Sequence, residues 1–200
     1  MYKELGLLKY LDIIGAATPT PGGGSVSAYT GALGAALGSM TSGIALKKVP
    51  QNSANHLIIK QAKEVFHKNY LRLLQLAEAD SLAYDKVYQC YKLPQYMLNR
   101  RKKINNALKS AAEVPYQTMK LCQENLKTIL KIRKLLPAQL LSDINVAVLI
   151  TKAAYHGARL NVIVNVESMT DKKVSRKIEQ DVEKLEPAFT ETILWLDDWM

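Results

Sequence analysis

A glycine-rich segment near the start of the chain, residues 18–39, constrains the fold more than any other feature of the sequence. It reads TPTPGGGSVSAYTGALGAALGS, so a turn of prolines and glycines leads into a run of small residues. Four members of that run recur at intervals of four, three and four residues: Ser27, Gly31, Gly34 and Gly38. This spacing places them on one face of an α-helix, where the lack of bulky side chains lets another backbone or a flat ligand come close. The segment predicts a tightly packed helix, with a close helix crossing inside the chain or across a subunit interface.

The rest of the chain shows helical periodicity and almost no strand signals. It has no Asn-Gly or Asp-Gly hairpin turn and no sustained alternation of apolar and polar residues. Residues 160–166 are rich in β-branched side chains, but they continue a pattern in which apolar residues recur every three or four positions. We therefore predict one all-α domain over residues 1–200, a helical bundle or array of about six helices that forms dimers. The predicted helices cover approximately residues 2–14, 25–47, 52–91, 95–134 (bent or broken at Pro115), 143–166 and 171–200.

The composition is that of a globular protein, with 48% hydrophobic and 22% charged residues. No apolar stretch reaches the roughly eighteen residues of a membrane span, and the first residues lack the regions of a signal peptide. We expect a cytoplasmic protein with no membrane partner. Cys90 and Cys122 lie far from each other and from any His, so they support neither a disulfide framework nor a zinc site. We expect both to be small buried hydrophobic residues.

The formal net charge of +9 is concentrated in the middle of the chain. Residues 86–134 contain twelve Lys and Arg against two Glu, whereas residues 179–198 contain seven acidic residues against one Lys. A basic middle favours an anionic ligand or partner, although a solvated helical face has the same pattern. One alternative is a basic helical nucleic-acid-binding protein. No helix-turn-helix signature accompanies the basic residues, and we expect no nucleic-acid partner.

The three glycines before Ser25 point to a binding role for the turn. Main-chain N–H groups at a helix start have no partner within the helix, and together with the helix dipole they favour a carbonyl, carboxylate or phosphate. A phosphate-binding loop would continue with Gly-Lys-Ser or Gly-Lys-Thr, but Ser-Val-Ser follows here. A dinucleotide fold would need a strand before the glycines, and none is predicted. The turn is therefore a candidate ligand site of another kind.

Four blocks of sequence resemble, in order, the formiminotetrahydrofolate cyclodeaminase and methenyltetrahydrofolate cyclohydrolase family. They are AATPTPGGGSVSAYTGALGAALGSM at 16–40, DSLAYDKVYQCYKLP at 80–94, ALKSAAEVP at 107–115 and SDINVAVLITKAAYHGARLNVIVNVESMTD at 142–171. The resemblance covers nearly the whole chain and is that of the stand-alone form, without a formiminotransferase domain. It implies an all-helical homodimer whose glycine turn lines a folate cleft near the dimer interface. One departure is Gln95, where relatives often carry Lys.

The resemblance implies a reaction on tetrahydrofolate-bound one-carbon units. We predict the cyclodeaminase reaction, which closes the ring between N5 and N10 of formimino-tetrahydrofolate and releases ammonia; the cyclohydrolase reaction on the methenyl compound is the alternative. A folate-site relic that serves as an assembly or regulatory subunit is a third interpretation. Both reactions need a proton donor or acceptor, and neither needs a metal or a cofactor beyond the tetrahydrofolate substrate. The candidate catalytic residues are Asp80 and Asp143. Asp80 could instead form a buried ion pair with a basic residue, and Asp143 could instead cap its helix together with Ser142.

The remaining candidates would bind the substrate. Asn161 and Asn165 lie four residues apart, so they share a helix face and could pair with a pterin ring or with another helix. Tyr84 could stack on a ring or pack in the core. The predicted substrate-binding residues are Pro21, Gly22, Gly23, Gly24, Ser25, Tyr84, Lys92, Ser142, Asn161 and Asn165. A folate can carry a tail of glutamates, and the residues predicted to hold such a polyglutamate tail are Arg100, Arg101 and Lys103.

Overall fold

The computed structural model describes residues 4–198, and within that range it contains helices and no strand. The prediction of an all-α chain is confirmed. Seven α-helices follow one another in the described part of the chain, and two short 3₁₀ turns, Arg133–Leu135 and Ala138–Leu140, separate the fourth from the fifth. Their bounds are α1 Leu7–Ile14, α2 Gly23–Leu46, α3 Ala54–Tyr91, α4 Arg100–Ile132, α5 Leu141–Glu167, α6 Lys172–Glu183 and α7 Glu186–Asp197.

The structure departs from the predicted helices at several places. Helix α4 begins at Arg100 rather than near residue 95, because Asn99 adopts a left-handed conformation with φ of 65° that a helix cannot continue. It then runs unbroken through Pro115. The last predicted helix is two helices, α6 and α7, and Pro187 in the first turn of α7 marks the new start, where its missing N–H costs nothing. The first two predicted helical positions, residues 2 and 3, lie outside the described residues, and α1 begins at Leu7.

The start of α5 also differs from the prediction. The helix begins at Leu141, and its N-cap residue, Leu140, makes no side-chain capping hydrogen bond. Asp143 therefore lies inside the first turn rather than before it, and the alternative in which Asp143 and Ser142 cap the helix is wrong. A carboxylate in the first turn still interacts favourably with the positive end of the helix dipole. By contrast, Asp171 does cap α6, because its carboxylate accepts hydrogen bonds from the N–H groups of Lys173 and Val174.

Helix α2 forms the centre of the molecule, and its small-residue face is buried against α3, α4 and α5. A Cβ atom at Gly31 would lie 3.0 Å from the Cys122 sulfur of α4, and one at Gly38 would lie 3.0 Å from the Phe66 ring of α3. At Gly34 a Cβ would overlap the Thr151 hydroxyl of α5. The predicted close approach thus occurs inside the chain, so this face is not free to meet a second subunit.

The expectations for the two cysteines, for metal binding and for membrane spans can be compared with the structure. Cys122 is fully buried, and burial raises the pKa of its thiol to about 12, whereas Cys90 is only partly buried. In the part of the chain that the structure describes, no three His, Cys, Asp or Glu side chains are grouped so that they could hold a metal ion. None of the helices described is both long and apolar enough to cross a membrane.

Candidate functional site

A cleft of about 330 Å³ opens where the glycine turn meets α3, α4 and α5. Four separate stretches of sequence supply its walls. The turn and the start of α2 form one side, α3 and α5 form the two long walls, and α4 closes the bottom. The lining residues are Pro19, Thr20, Gly22, Gly23, Asp80, Tyr84, Val87, Tyr91, Leu108, Ala111, Asn161, Val164, Asn165 and Ser168.

The start of α2 is capped by a residue from another helix. Gly22 occupies the N-cap position and has no side chain with which to cap. Instead, the main-chain N–H of Ser25 donates a hydrogen bond to the carboxylate of Asp80, on α3. A Cβ atom at Gly24 would overlap that carboxylate. Glycine is therefore required at position 24 by space alone, since the carboxylate rests directly against the helix backbone.

Asp80 has the electrostatic character of an acid–base group. Burial raises the pKa of its carboxyl from 3.8 to about 6, and the hydrogen bond from the Ser25 N–H acts in the opposite direction because it favours the charged form. No ion pair to Asp80 is present among the described residues, so the alternative in which it forms a buried ion pair is wrong. A carboxyl group with a pKa near 6 can both accept and donate a proton close to neutral pH.

One stripe of α3 forms the first long wall. Asp80, Tyr84, Val87 and Tyr91 follow at intervals of four, three and four residues, which places them on one helix face. Tyr84 is 41% exposed, so it lines the opening rather than the core. Lys92 lies beyond this stripe: its ammonium group stands 4.2 Å from the centre of the Tyr88 ring, outside the cleft lining.

A matching stripe at the end of α5 forms the opposite wall, with Asn161, Val164 and Asn165 of the helix and its C-cap residue Ser168. The Asn161 amide donates to the carbonyl of Gly157 at 2.9 Å, and the Asn165 amide donates to the carbonyl of Asn161 at 2.8 Å. Both bonds lie within α5, so the alternative of hydrogen bonding to another helix is wrong. Each amide uses one N–H in this way, and its second N–H and its oxygen remain available to a ligand in the cleft.

The comparison with known proteins assigns the chain to a family. The family model described as formiminotransferase-cyclodeaminase matches residues 6–184. The chain belongs to this family. The family resemblance predicted from four sequence blocks is thereby confirmed, and all the lining residues of the cleft fall within the matched range.

The proteins that are similar to this chain carry different names and differ in length. A methenyltetrahydrofolate cyclohydrolase of Methylorubrum extorquens is 32% identical over 182 residues, which cover 88% of this chain and 86% of that protein. A formimidoyltransferase-cyclodeaminase of Gallus gallus is 31% identical over 192 residues, or 92% of this chain, but the chain spans only 34% of its length. The crystal structure of a formiminotetrahydrofolate cyclodeaminase from Thermotoga maritima shares the fold, with a TM-score of 0.90, 24% identity, and coverage of 99% of this chain and 96% of that one.

Two further predicted site residues lie away from the cleft, as Lys92 does. Asp143 and Ser142 occupy the first turn of α5, eighteen or more residues before Asn161. At 1.5 Å per residue this corresponds to about 27 Å along the helix axis. The structure therefore does not bring Asp143 together with Asp80. Of the predicted turn residues, Gly22 and Gly23 line the cleft, whereas Pro21, Gly24 and Ser25 are buried behind it.

The three residues predicted to hold a polyglutamate tail have different surroundings. Arg100 donates hydrogen bonds to the carbonyls of Tyr91 and Leu93, both at 2.8 Å, and so closes the turn between α3 and α4. Arg101 donates to the Thr170 hydroxyl at 3.1 Å and lines a separate hollow of about 530 Å³ at the surface. Lys103 is exposed. The tail site stays a prediction, with Arg101 and Lys103 better placed than Arg100 to meet a ligand.

The sequence interpretation missed the apolar part of the site. Val87, Leu108, Ala111 and Val164 line the cleft between its polar groups. Val87 and Val164 continue the helical spacing of Asp80 and Asn161, so the periodicity of those two residues could have identified them. Leu108 and Ala111 carry no such signal, because their place depends on how α4 packs against α3 and α5.

Proposed function

We propose that this chain is a folate one-carbon enzyme that acts as a formimino-tetrahydrofolate cyclodeaminase at the Asp80 cleft. The observation that carries the proposal is a largely buried carboxyl group, without an ion-pair partner in the described chain, whose pKa of about 6 suits proton transfer at neutral pH. Membership of the formiminotransferase-cyclodeaminase family supports the reaction class. The substrate is a tetrahydrofolate derivative, and we propose no metal or further cofactor.

Asp80 can serve both proton transfers of this reaction. N10 attacks the carbon of the protonated formimino group on N5, and a C–N bond forms to give a tetrahedral carbon. The Asp80 carboxylate accepts the proton that N10 carries and then donates it to the departing nitrogen, which leaves as ammonia. The product is the methenyl cation, so protons and charge balance with one carboxyl group. While it is ionised, the same carboxylate stabilises the positive charge on the reacting carbon.

The cleft walls suit a pterin and the ring attached to it. The Tyr84 and Tyr91 rings offer flat surfaces at the opening, and the apolar side chains of Leu108 and Val87 exclude water from the bottom. Asn161 and Asn165 offer donors and acceptors of the kind that a pterin edge requires. The volume of about 330 Å³ lies near the lower end of the range for small-ligand sites, so part of the folate would remain outside the cleft.

The cyclohydrolase reaction is the second candidate, and one observation favours it. The Methylorubrum extorquens relative that carries this name is 32% identical and matched over 86% of its length, whereas the Thermotoga maritima cyclodeaminase, matched over 96% of its length, is 24% identical. In this reaction water attacks the methenyl carbon and Asp80 accepts one proton from it. Asp80 then donates that proton to a ring nitrogen as the bond from this nitrogen to the carbon breaks, and the remaining hydroxyl proton is released to solvent as the C=O bond of the formyl group forms. The same carboxyl group would therefore carry either reaction.

We also propose that the chain forms a homodimer in the cytoplasm, through a face other than the small-residue face of α2. Helix α5 exposes Val146, Leu149, Leu160 and Val164, which recur with helical spacing along one side. Val164 is 62% exposed and also lines the cleft, so this strip adjoins the candidate site. A second copy covering the strip would place the cleft near the interface. Light scattering at micromolar concentration tests the proposal: a dimer is expected, and a Leu149→Glu, Leu160→Glu variant should be a monomer.

One absorbance assay distinguishes the two reactions. The methenyl compound absorbs where formimino-tetrahydrofolate does not, so the absorbance should rise when a cyclodeaminase receives the formimino substrate. With the methenyl compound as substrate, the absorbance should fall faster than in buffer if the chain is a cyclohydrolase. No change with either substrate, together with tight oligonucleotide binding at the same salt concentration, would favour the nucleic-acid alternative.

A further inference from the structure

Helix α1 has one side chain that is fully buried in the rest of the molecule. Tyr10 is its only fully buried residue, at 3% exposure, whereas Leu7, Leu8 and Leu11 are exposed. The Tyr10 ring packs against Tyr29 of α2, with 4.7 Å between the ring centres. Its hydroxyl lies 3.2 Å from the hydroxyl of Ser25, in a hydrogen bond that is buried from solvent. A buried hydrogen bond of this kind fixes the position of both partners.

Ser25 connects this contact to the candidate site. Its side chain is hydrogen-bonded to Tyr10, while its main-chain N–H donates to the Asp80 carboxylate. Residues 15–22, between α1 and α2, include Pro19, Thr20 and Gly22 of the cleft lining. Tyr10 therefore holds the turn at both ends, since it anchors the helix before the turn and the first turn of the helix after it.

We infer that Tyr10 is a positioning residue for Asp80: through the Ser25 hydroxyl it holds the first turn of α2 so that the Ser25 N–H stays directed at the carboxylate. Tyr10 does not line the cleft and would touch no substrate. The inference concerns the site of the proposed function, but the contact itself exists whether or not the chain turns over a folate.

The direction in which the pKa of Asp80 should change follows from the negative charge of its carboxylate, which accepts the hydrogen bond. A hydrogen bond to a carboxylate favours the ionised form, so a weaker bond from Ser25 raises the pKa of Asp80. The titratable groups that face Asp80 in the cleft are Tyr84 and Tyr91, on its own helix. Among the described residues that line the cleft, the other elements offer Asp80 no titratable side chain. They contribute the glycines at the start of α2, Leu108 and Ala111 of α4, and Asn161 and Asn165 of α5. The Ser25 N–H is thus the group that opposes the effect of burial on Asp80.

The test removes the two hydroxyl groups separately and together. In Tyr10→Phe the ring stays against Tyr29, and in Ser25→Ala the main-chain N–H stays in place. The pKa of Asp80 is read by ¹³C NMR of the labelled carboxyl group, which requires no turnover. We expect each variant to raise that pKa by roughly 0.3–1 unit. The double variant should raise it no further than the larger single effect, because both changes break the same hydrogen bond.

The matched control is Tyr70→Phe, which removes a hydroxyl that bonds to the His67 ring at the surface. It should leave the pKa of Asp80 unchanged. In kinetic assays of an active enzyme, the acidic limb of the kcat profile should move to higher pH in Tyr10→Phe and stay in place in Tyr70→Phe.

A lower melting temperature in Tyr10→Phe without a change in the pKa of Asp80 would overturn the inference, as would additive pKa shifts in the double variant. If Tyr10→Phe does not fold, Ser25→Ala decides alone, because it removes the same bond. An inactive chain that still shows the NMR shifts would contradict the proposed function and leave the positioning role supported.

Discussion

Asp80 and Asp143 are both carboxylates placed at the start of a helix, yet their surroundings differ in the property that matters for catalysis. Asp80 reaches the start of α2 from the last third of α3 and is largely buried, and burial raises its pKa to about 6. Asp143 lies in the first turn of its own helix, partly exposed, about 27 Å along α5 from the cleft. A contact with a helix start is thus not enough to make a catalytic group. Asp80 has a pKa suited to acid–base catalysis because it is also buried between helices.

The largest expected effect that tests this comparison is on turnover. Asp80→Asn keeps the shape of the side chain and removes the titrating group, so turnover should fall at least about a hundredfold. Asp143→Asn is the matched control, because it makes the same chemical change outside the cleft, and its turnover should stay within about twofold. Steady-state rates with both candidate substrates check the prediction. Equal losses in the two variants would show that the distinction drawn from burial is wrong.

The next largest effect concerns Gly24, against which the Asp80 carboxylate packs. A Cβ at Gly24 would overlap the carboxylate, whereas a Cβ at Gly43, on the same helix, would meet only Lys63 at ordinary contact distances, the nearest of them 3.6 Å. Gly24→Ala should therefore displace Asp80, lower turnover at least about tenfold and reduce stability by roughly 1–3 kcal/mol. Gly43→Ala should leave turnover intact. Rates and thermal unfolding of the two variants provide the measurement, and a fully active Gly24→Ala would contradict the close contact.

Stability should respond in opposite directions to the same substitution at the two aspartates. Between about pH 4 and pH 6, native Asp80 holds a proton that the unfolded chain has released, so the free energy of unfolding falls as the pH rises through this window. Above pH 6 the ionised group costs on the order of 3 kcal/mol. Asp80→Asn should therefore be more stable than the wild type at pH 7.5, and the difference should vanish near pH 4.

Asp143→Asn should instead lose about 0.3–1 kcal/mol at pH 7.5, because its negative charge interacts favourably with the N-terminus of α5. Chemical denaturation at pH 4 and pH 7.5 measures both variants. If Asp80→Asn were less stable than the wild type at pH 7.5, burial would not be the main influence on Asp80.

The sequence allowed some parts of this site to be predicted, and the physical reason is local periodicity. The helices α2, α3 and α5 follow from small or apolar residues spaced at three and four, and Asp80 lies in a stretch of α3, residues 76–84, that is short of charged residues. The split between α6 and α7 had a local signal in Pro187 that the prediction did not use. The capping of α2 by Asp80 had none, because Ser25 and Asp80 lie fifty-five residues apart and meet only when α2 and α3 pack.

The smallest expected effect concerns the two neighbouring arginines at the start of α4, whose surroundings contrast as those of the aspartates do. Arg100 already donates to the carbonyls of Tyr91 and Leu93, whereas Arg101 and Lys103 are exposed. If the exposed pair holds a polyglutamate tail, tetraglutamyl folate should bind more tightly than monoglutamyl folate, and the gain should shrink as salt screens the charges. At roughly 0.2–1 kcal/mol for an exposed contact, Arg101→Gln should reduce that gain by about 1.4-fold to fivefold and leave monoglutamate affinity unchanged.

Arg100→Gln should instead weaken the binding of both folates, since it loosens the turn beside Tyr91. Lys131→Gln, at the far end of α4, is the control that removes one positive charge elsewhere. Titration calorimetry at two salt concentrations measures all four proteins, and equal affinity of the wild type for both folates would rule out the tail site.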